Sequence, residues 1–249
     1  MKGREVVVAR SRGGNEELQR MLSVHGIEAG AVETIRMDDP TSWTEVDSAI
    51  ARISQFDWVA FTSPRGVAAF GARLKSRRSR TEGRVPKFAA VGSKTASALR
   101  RIGIEAEYVP SEFLTSALGK GLPGEAGSRV LILRADVGDK KLVADLERRG
   151  FEVEDVVAYH TRFVSGPVKP DLLKSARVVA FASPSEVEGF RRKLGGGEFR
   201  ALTGRATAAC IGPVTARAAE RAGFRSVVFA EEHTLDGLVE KIGEMTVRA

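Results

Sequence analysis

The chain has 249 residues, 43% of them apolar, which is enough to bury a sizeable core and suits two smallish domains better than one. Its 39 Lys and Arg outweigh 32 Asp and Glu to leave +7, a field that favours an anionic partner. One cysteine, Cys210, excludes an internal disulfide, and no apolar stretch approaches the ~18 residues of a membrane span, so a cytoplasmic protein without a membrane partner is expected.

Val6-Val7-Val8-Ala9-Arg10 is an apolar run closed by an arginine and predicts a strand. Leu18 and Leu22 follow at helical spacing, Gly26 stops that helix, and Val32 belongs to a second strand. Asp57 to Ser63 predicts another strand, running into a helix capped by Ser63 with Pro64 in its first turn. The basic run from Arg73 to Arg84, with Lys75, Arg77, Arg78 and Arg80, contains no aromatic and reads as a solvated helix end and loop. Ala90-Val91 enters a turn at Gly92, and the helix after it, with Thr95 near its start, stops at Gly103.

Val130-Leu131-Ile132-Leu133-Arg134 repeats the first strand at an offset of 124 residues (10 to 134), and the offset holds for Asn15 and Asp139, Leu22 and Leu146, Gly26 and Gly150, and Val32 and Val156. Arg177-Val178-Val179-Ala180-Phe181-Ala182-Ser183-Pro184 repeats the segment from Asp57 to Pro64 at an offset of 120 (63 to 183). That second offset persists through Gly92 and Gly212, Thr95 and Thr215, Gly103 and Gly223, and Leu118 and Leu238. The chain is therefore a duplication of one strand-helix unit. Near-continuous apolar strands between helices predict parallel sheets covered on both faces, hence two doubly wound α/β domains.

In such sheets ligands bind beyond the carboxyl ends of the strands, where Arg10, Arg134, Ser63, Ser183 and the turns at Gly92 and Gly212 gather. Each also has a plainer reading. The serines are ordinary helix caps, the arginines solvated strand ends, the glycines tight turns, and Tyr159 a packed strand aromatic with its hydroxyl at the rim. Gly195-Gly196-Gly197 reads as a flexible loop. His25, His160 and His233 share no ligand-like spacing, so no metal is expected. No Walker or GxGxxG pattern supports a nucleotide. Two Trp, two Tyr and twelve Phe, none interleaved with basic residues, argue against nucleic acid.

Taken together, Phe61-Thr62-Ser63-Pro64-Arg65-Gly66, Ala90-Val91-Gly92 with Thr95-Ala96, the run ending in Arg134, Val157-Ala158-Tyr159, Phe181-Ala182-Ser183-Pro184-Ser185, and Ile211-Gly212-Pro213 with Thr215-Ala216 resemble the uroporphyrinogen-III synthases over nearly the whole chain. The resemblance implies flavodoxin-like domains that are not a simple tandem: residues 1–37 join 164–249, and 38–163 form the inserted domain. Two extended crossings would then allow opening and closing around a cleft. It also implies a cofactor-free lyase of tetrapyrrole biosynthesis, a monomer by expectation, closing hydroxymethylbilane into a ring with inversion of the fourth pyrrole and loss of water. Tyr159 would assist departure of the hydroxyl, while Ser63, Arg65, Thr95, Ser183 and Thr215 would hold carboxylates among the eight of the substrate; Arg10 and Arg134 join them as substrate-binding candidates from their places at the strand ends. A non-catalytic ligand-binding module on the same fold would keep such a cleft and have no use for Tyr159. A sugar- or nucleotide-transferring enzyme would carry a metal-holding or Gly-rich phosphate motif.

Overall fold

The computed structural model describes residues 5–76, 84–137 and 140–246, so Arg77, Arg78 and Arg80 of the basic run, and Asp139 of the repeat, lie outside the described residues. The first half of the chain contains β1 (Val6–Arg10), α1 (Arg12–Val24), β2 (Ala29–Glu33), β3 (Ile35–Asp38), α2 (Thr44–Ala51), β4 (Trp58–Phe61), α3 (Pro64–Ser76), β5 (Lys87–Ala90), α4 (Ser93–Arg101) and α5 (Thr115–Gly121). The second contains β6 (Arg129–Ala135), α6 (Lys141–Arg148), β7 (Glu152–Phe163), α7 (Pro170–Ser175), β8 (Val178–Phe181), α8 (Pro184–Thr203), β9 (Thr207–Cys210), α9 (Pro213–Ala222), β10 (Ser226–Phe229) and α10 (Leu235–Thr246). Among the described residues, no helix is long and apolar enough to cross a membrane.

The chain divides into two compact units, Met1–Met37 with Arg162–Ala249, and Asp38–Thr161. The first unit is built on a sheet of order β10-β9-β8-β1-β2, every neighbouring pair parallel. The second sheet runs β3-β7-β6-β4-β5, parallel from β7 to β5, and a parallel bridge from Ala89 to Tyr108 continues it beyond β5. Tyr108 stands 120 residues before Val228 of β10, so both copies use the same doubly wound order. The middle of each sheet joins different copies of the repeat: β1 pairs with β8, and β6 with β4.

Alternation along the strands fills both faces of each sheet. In the first unit Val7, Ala9, Val179, Phe181 and Cys210 meet α8 and α9 through Phe190, Leu202, Ala216 and Ala219. Val6, Val8, Val178 and Ala180 face α1 and α10 through Leu18, Leu22, Leu238 and Ile242. The second unit repeats this, with Val59, Phe61, Leu131 and Leu133 against Val67, Phe70 and Leu99, and Trp58, Ala60, Val130 and Ile132 against Leu118, Leu142 and Leu146. Each fully buried Leu, Val or Phe contributes about 1.5–3 kcal/mol. The duplication reaches side-chain packing: Phe61 and Phe70 meet edge to face at 5.4 Å, and their counterparts Phe181 and Phe190 at 5.6 Å. Cys210 is buried on β9, and burial pushes its thiol up to about 12.

The helix stops expected at Gly26, Gly103, Gly150 and Gly223 all have left-handed backbone, with φ of 73°, 81°, 83° and 113°. Gly92 and Gly212 are glycines for another reason. Their φ is extended, and a Cβ there would lie 3.1 Å from the Phe113 ring and 3.1 Å from the His233 ring, respectively. The flexible loop expected at Gly195-Gly196-Gly197 needs correcting. The triplet lies within α8, whose helical conformation breaks only at Gly195 (φ 69°), because Phe190 and Leu194 before it and Phe199 and Leu202 after it are all buried and hold both arms on the sheet.

α8 approaches the chain before β3 so closely that a Cβ on Gly189 would lie 2.5 Å from the Thr34 carbonyl oxygen. Gly189→Ala should therefore destabilise the protein by about 1–3 kcal/mol, read as an earlier thermal unfolding midpoint. An unchanged midpoint would mean that α8 shifts freely at this contact.

Candidate active site

Tyr159 owes its direction to an irregularity in β7. Leu133 pairs with Val156 and Arg134 with Val157, but Ala135 pairs with Tyr159, so β7 carries one extra residue at Ala158. Strict alternation would send Tyr159 to the side of Val157. The extra residue instead returns it to the face of Val156, Leu133 and Phe61, where the ring is 8% exposed. There Tyr159 Oη lies 2.9 Å from Ser63 Oγ.

Asp136 secures the strand at that tyrosine and just after it. Its backbone N–H donates to the Tyr159 carbonyl, its Oδ1 accepts from the N–H of Thr161 at 2.8 Å, and its Oδ2 meets His160 Nδ1 at 2.7 Å. Partial burial pushes the carboxyl up. The bonds from Thr161, His160 and the Val137 N–H outweigh that and hold it below the usual aspartate value.

Ser63 closes β4 and opens α3, its Oγ accepting from the Gly66 N–H at 3.2 Å. Thr62, Ser63, Thr115, Arg134, Ala135, Val137, Leu142 and Tyr159 line a cavity of about 100 Å³ at this end of the sheet. It has room for one substituent or the tip of a larger molecule. Arg65, in the first turn of α3, donates from Nη2 to Asp39 at 2.7 Å while its Nε is buried with no hydrogen-bond partner. Burial pushes the Tyr159 phenol above its usual value. The Ser63 hydrogen bond and the Arg65 charge offset part of this, and Asp136 adds to it. The phenol is thus a proton carrier at neutral pH.

The other strand-end residues are differently engaged. Arg134 makes a two-pronged pair with Asp155 of β7, at 2.7 and 2.6 Å. In the first unit, Arg10 Nε meets Glu186 at 3.2 Å, and its Nη1 donates to the Gly14 carbonyl. Glu186 is 4% exposed and also accepts from the Ala182 N–H; its burial raises the carboxyl despite the Arg10 charge. Ser183 caps α8, accepting from the Glu186 N–H at 3.3 Å. Thr95 and Thr215 are each 3% exposed in the first turns of α4 and α9.

The structure thus brings Ser63, Arg134 and Tyr159 to one cavity with Arg65 beside them, while Thr95 lies elsewhere in the same unit and Arg10, Ser183 and Thr215 lie in the other. Sequence reasoning missed Asp136, Thr115 and Glu186. Only Glu186 had a local signal, the spacing from Ser183 that marks a capping box.

A family model described as uroporphyrinogen-III synthase HemD matches residues 6–240. The chain belongs to the uroporphyrinogen-III synthase family. It is 30% identical over 247 residues to the uroporphyrinogen-III synthase of Synechococcus elongatus, covering 95% of this chain and 93% of that relative. It is 32% identical over 252 residues to the chloroplastic uroporphyrinogen-III synthase of Oryza sativa subsp. japonica, with 96% of this chain and 80% of that relative covered. The fold matches a crystal structure of a mutant uroporphyrinogen III synthase from the extremely thermophilic bacterium Thermus thermophilus with a TM-score of 0.71, at 19% identity and with 98% and 99% of the two chains covered.

Asp136→Ala removes acceptors for two backbone N–H groups and His160, and hydrogen bonds to charged groups are worth about 1.5–3 kcal/mol. Because the carboxyl is lowered in the folded state, its stabilisation is present above the ordinary aspartate value of about 4 and is lost as the pH falls through the folded one. Denaturant unfolding at pH 7 should show the variant to be weaker, with the gap narrowing as the pH drops below about 4. A gap independent of pH would assign the loss to packing instead.

Proposed function

We infer that the chain is a working uroporphyrinogen-III synthase in which Tyr159 delivers the proton that releases the leaving hydroxyl. The observation that carries this reading is the buried Tyr159 hydroxyl on the wall of a cavity that also bears Ser63 and Arg134. The family's substrate, hydroxymethylbilane, ends in a hydroxymethyl group, and a cavity of about 100 Å³ suits that end of it.

The step balances simply. Tyr159 Oη gives its proton to the hydroxymethyl oxygen, the C–O bond breaks with its electron pair staying on oxygen, and water leaves. The carbon is left as a cation conjugated with its pyrrole nitrogen. The fourth ring attacks it through a spiro intermediate, and inversion precedes closure. The proton lost as the last pyrrole regains aromaticity returns the phenolate to phenol, so no oxidant or reductant is needed. Such a cation reacts readily, and the protein's main contribution is orientation.

Arg10 and Arg134 have carboxylate partners of their own, Glu186 and Asp155, and are assigned to bracing the strand ends rather than to holding substrate carboxylates. Arg65, with its unpartnered Nε and a partner, Asp39, on the surface, is the better carboxylate holder. The positive balance of the chain favours the polyanionic substrate at long range. Thr95, Ser183 and Thr215 stay assigned to carboxylate binding by the family resemblance alone, in a monomeric cytoplasmic enzyme whose domains, 1–37 with 164–249 and 38–163, open and close on the substrate.

Given hydroxymethylbilane without added metal or nucleotide, the protein should form the type III isomer faster than the type I isomer arises unaided. Type I product at the uncatalysed rate would refute the reading. Tyr159→Phe should lower turnover by about 10²-fold or more with little change in KM, since general acid assistance is worth about 10²–10⁴-fold. Unchanged turnover in a folded variant would move the proton source to water or to the substrate's own carboxyls.

A further inference from the structure

We propose that Ser63 is a positioning residue for the Tyr159 proton: its hydroxyl donates to the phenol oxygen, leaves the phenol hydrogen directed into the cavity, and stabilises the phenolate as that hydrogen is transferred. This rests on Tyr159 being the proton donor.

The argument is one of counting. A serine hydroxyl has one hydrogen and two lone pairs. The Gly66 N–H at the start of α3 occupies a lone pair of Ser63 Oγ, at 3.2 Å. Tyr159 Oη is the other close polar neighbour, at 2.9 Å. A bond running from tyrosine to serine would tie up the hydrogen that has to reach the substrate. A bond from serine to tyrosine frees it, and this bond strengthens as negative charge develops on Oη, which is how a fixed donor lowers a barrier. Ser63 thus links two events. The cap that starts the helix fixes the rotamer that aims the hydroxyl.

The duplication supplies the comparison. Ser183 caps α8 in the same way, accepting from the Glu186 N–H at 3.3 Å. The counterpart of Tyr159 by the 124-residue offset is Ile35, which has no hydroxyl to receive a bond. Capping alone accounts for the serine in the first unit. In the second unit the same serine has acquired a second partner.

Three variants separate donation from capping and from substrate binding. Ser63→Thr keeps both cap and donor. Ser63→Asp caps well but as a carboxylate offers no hydrogen. Ser63→Ala keeps neither. Turnover should survive in Ser63→Thr and fall by about 10–150-fold in both Ser63→Asp and Ser63→Ala, the worth of one hydrogen bond to a charged group, with KM changed little. In the Tyr159→Phe background, Ser63→Ala should cost nothing further. Full turnover in Ser63→Asp would overturn the proposal, and so would a rise in KM at constant kcat, which would make Ser63 a substrate holder.

A spectroscopic arm does not depend on activity. With ring-carbon-labelled tyrosine, the Tyr159 signal should move, and its alkaline titration midpoint rise, in Ser63→Ala but not in Ser183→Ala. A Tyr159 signal indifferent to Ser63→Ala overturns the hydrogen-bond assignment itself. Should Tyr159→Phe retain full turnover, the proton-donor reading and the catalytic role of Ser63 fall together, while the signal still decides whether the bond from Ser63 exists.

Discussion

Everything in this protein depends on two parallel strand pairs that join distant parts of the chain, Val8 of β1 beside Ala180 of β8 and Ile132 of β6 beside Ala60 of β4. These pairs form the middle of each sheet, so neither unit is complete within one copy of the repeat. A parallel sheet of this kind must be covered on both faces, and in the first unit α1 and α10 cover one face and α8 and α9 the other. The exchange also sets β3 and β7 side by side in the second sheet, on the two stretches where the chain passes between units. β7 carries Tyr159 as well.

The two copies began alike and have diverged at a few positions with large effects. Arg10 finds a buried carboxylate in Glu186, while the residue 120 positions earlier is Gly66, whose missing Cβ allows α3 to approach the Leu133 carbonyl oxygen to 2.8 Å of where that atom would be. With no acid at that place, Arg134 turns to Asp155 instead. Tyr159 stands where the other copy has Ile35. One unit thus pairs its strand-end arginine with a buried glutamate, while the other pairs it with Asp155 on β7 beside a cavity that has a phenol on its wall.

The fold was legible because its signals are local or periodic. Apolar runs, serine-proline helix starts and glycine stops can each be read within a few residues, and the change of offset from 124 to 120 separates the two halves of the repeat. The exchange of strands came from family resemblance, since periodicity does not record which copy a strand pairs with. The candidate site was legible in its residue types but not in its geometry. Alternation along β7 places Tyr159 with Val157, and only the extra residue at Ala158 turns it to Ser63. Arg10 looked like a free strand end because its partner lies 176 residues away. Gly195-Gly196-Gly197 looked like a loop because composition does not report the buried phenylalanines that hold the helix on either side.

The buried thiol of Cys210 has a practical consequence. It is the chain's single sulfhydryl, it sits on β9 between β8 and β10, and burial keeps it protonated far above neutral pH. A thiol reagent meets a reactive thiolate there only after β9 is uncovered. The modification rate therefore acts as a clock for opening of the first unit alone, and an alkylated molecule carries a permanent mark that this sheet, and not its duplicate, once came apart.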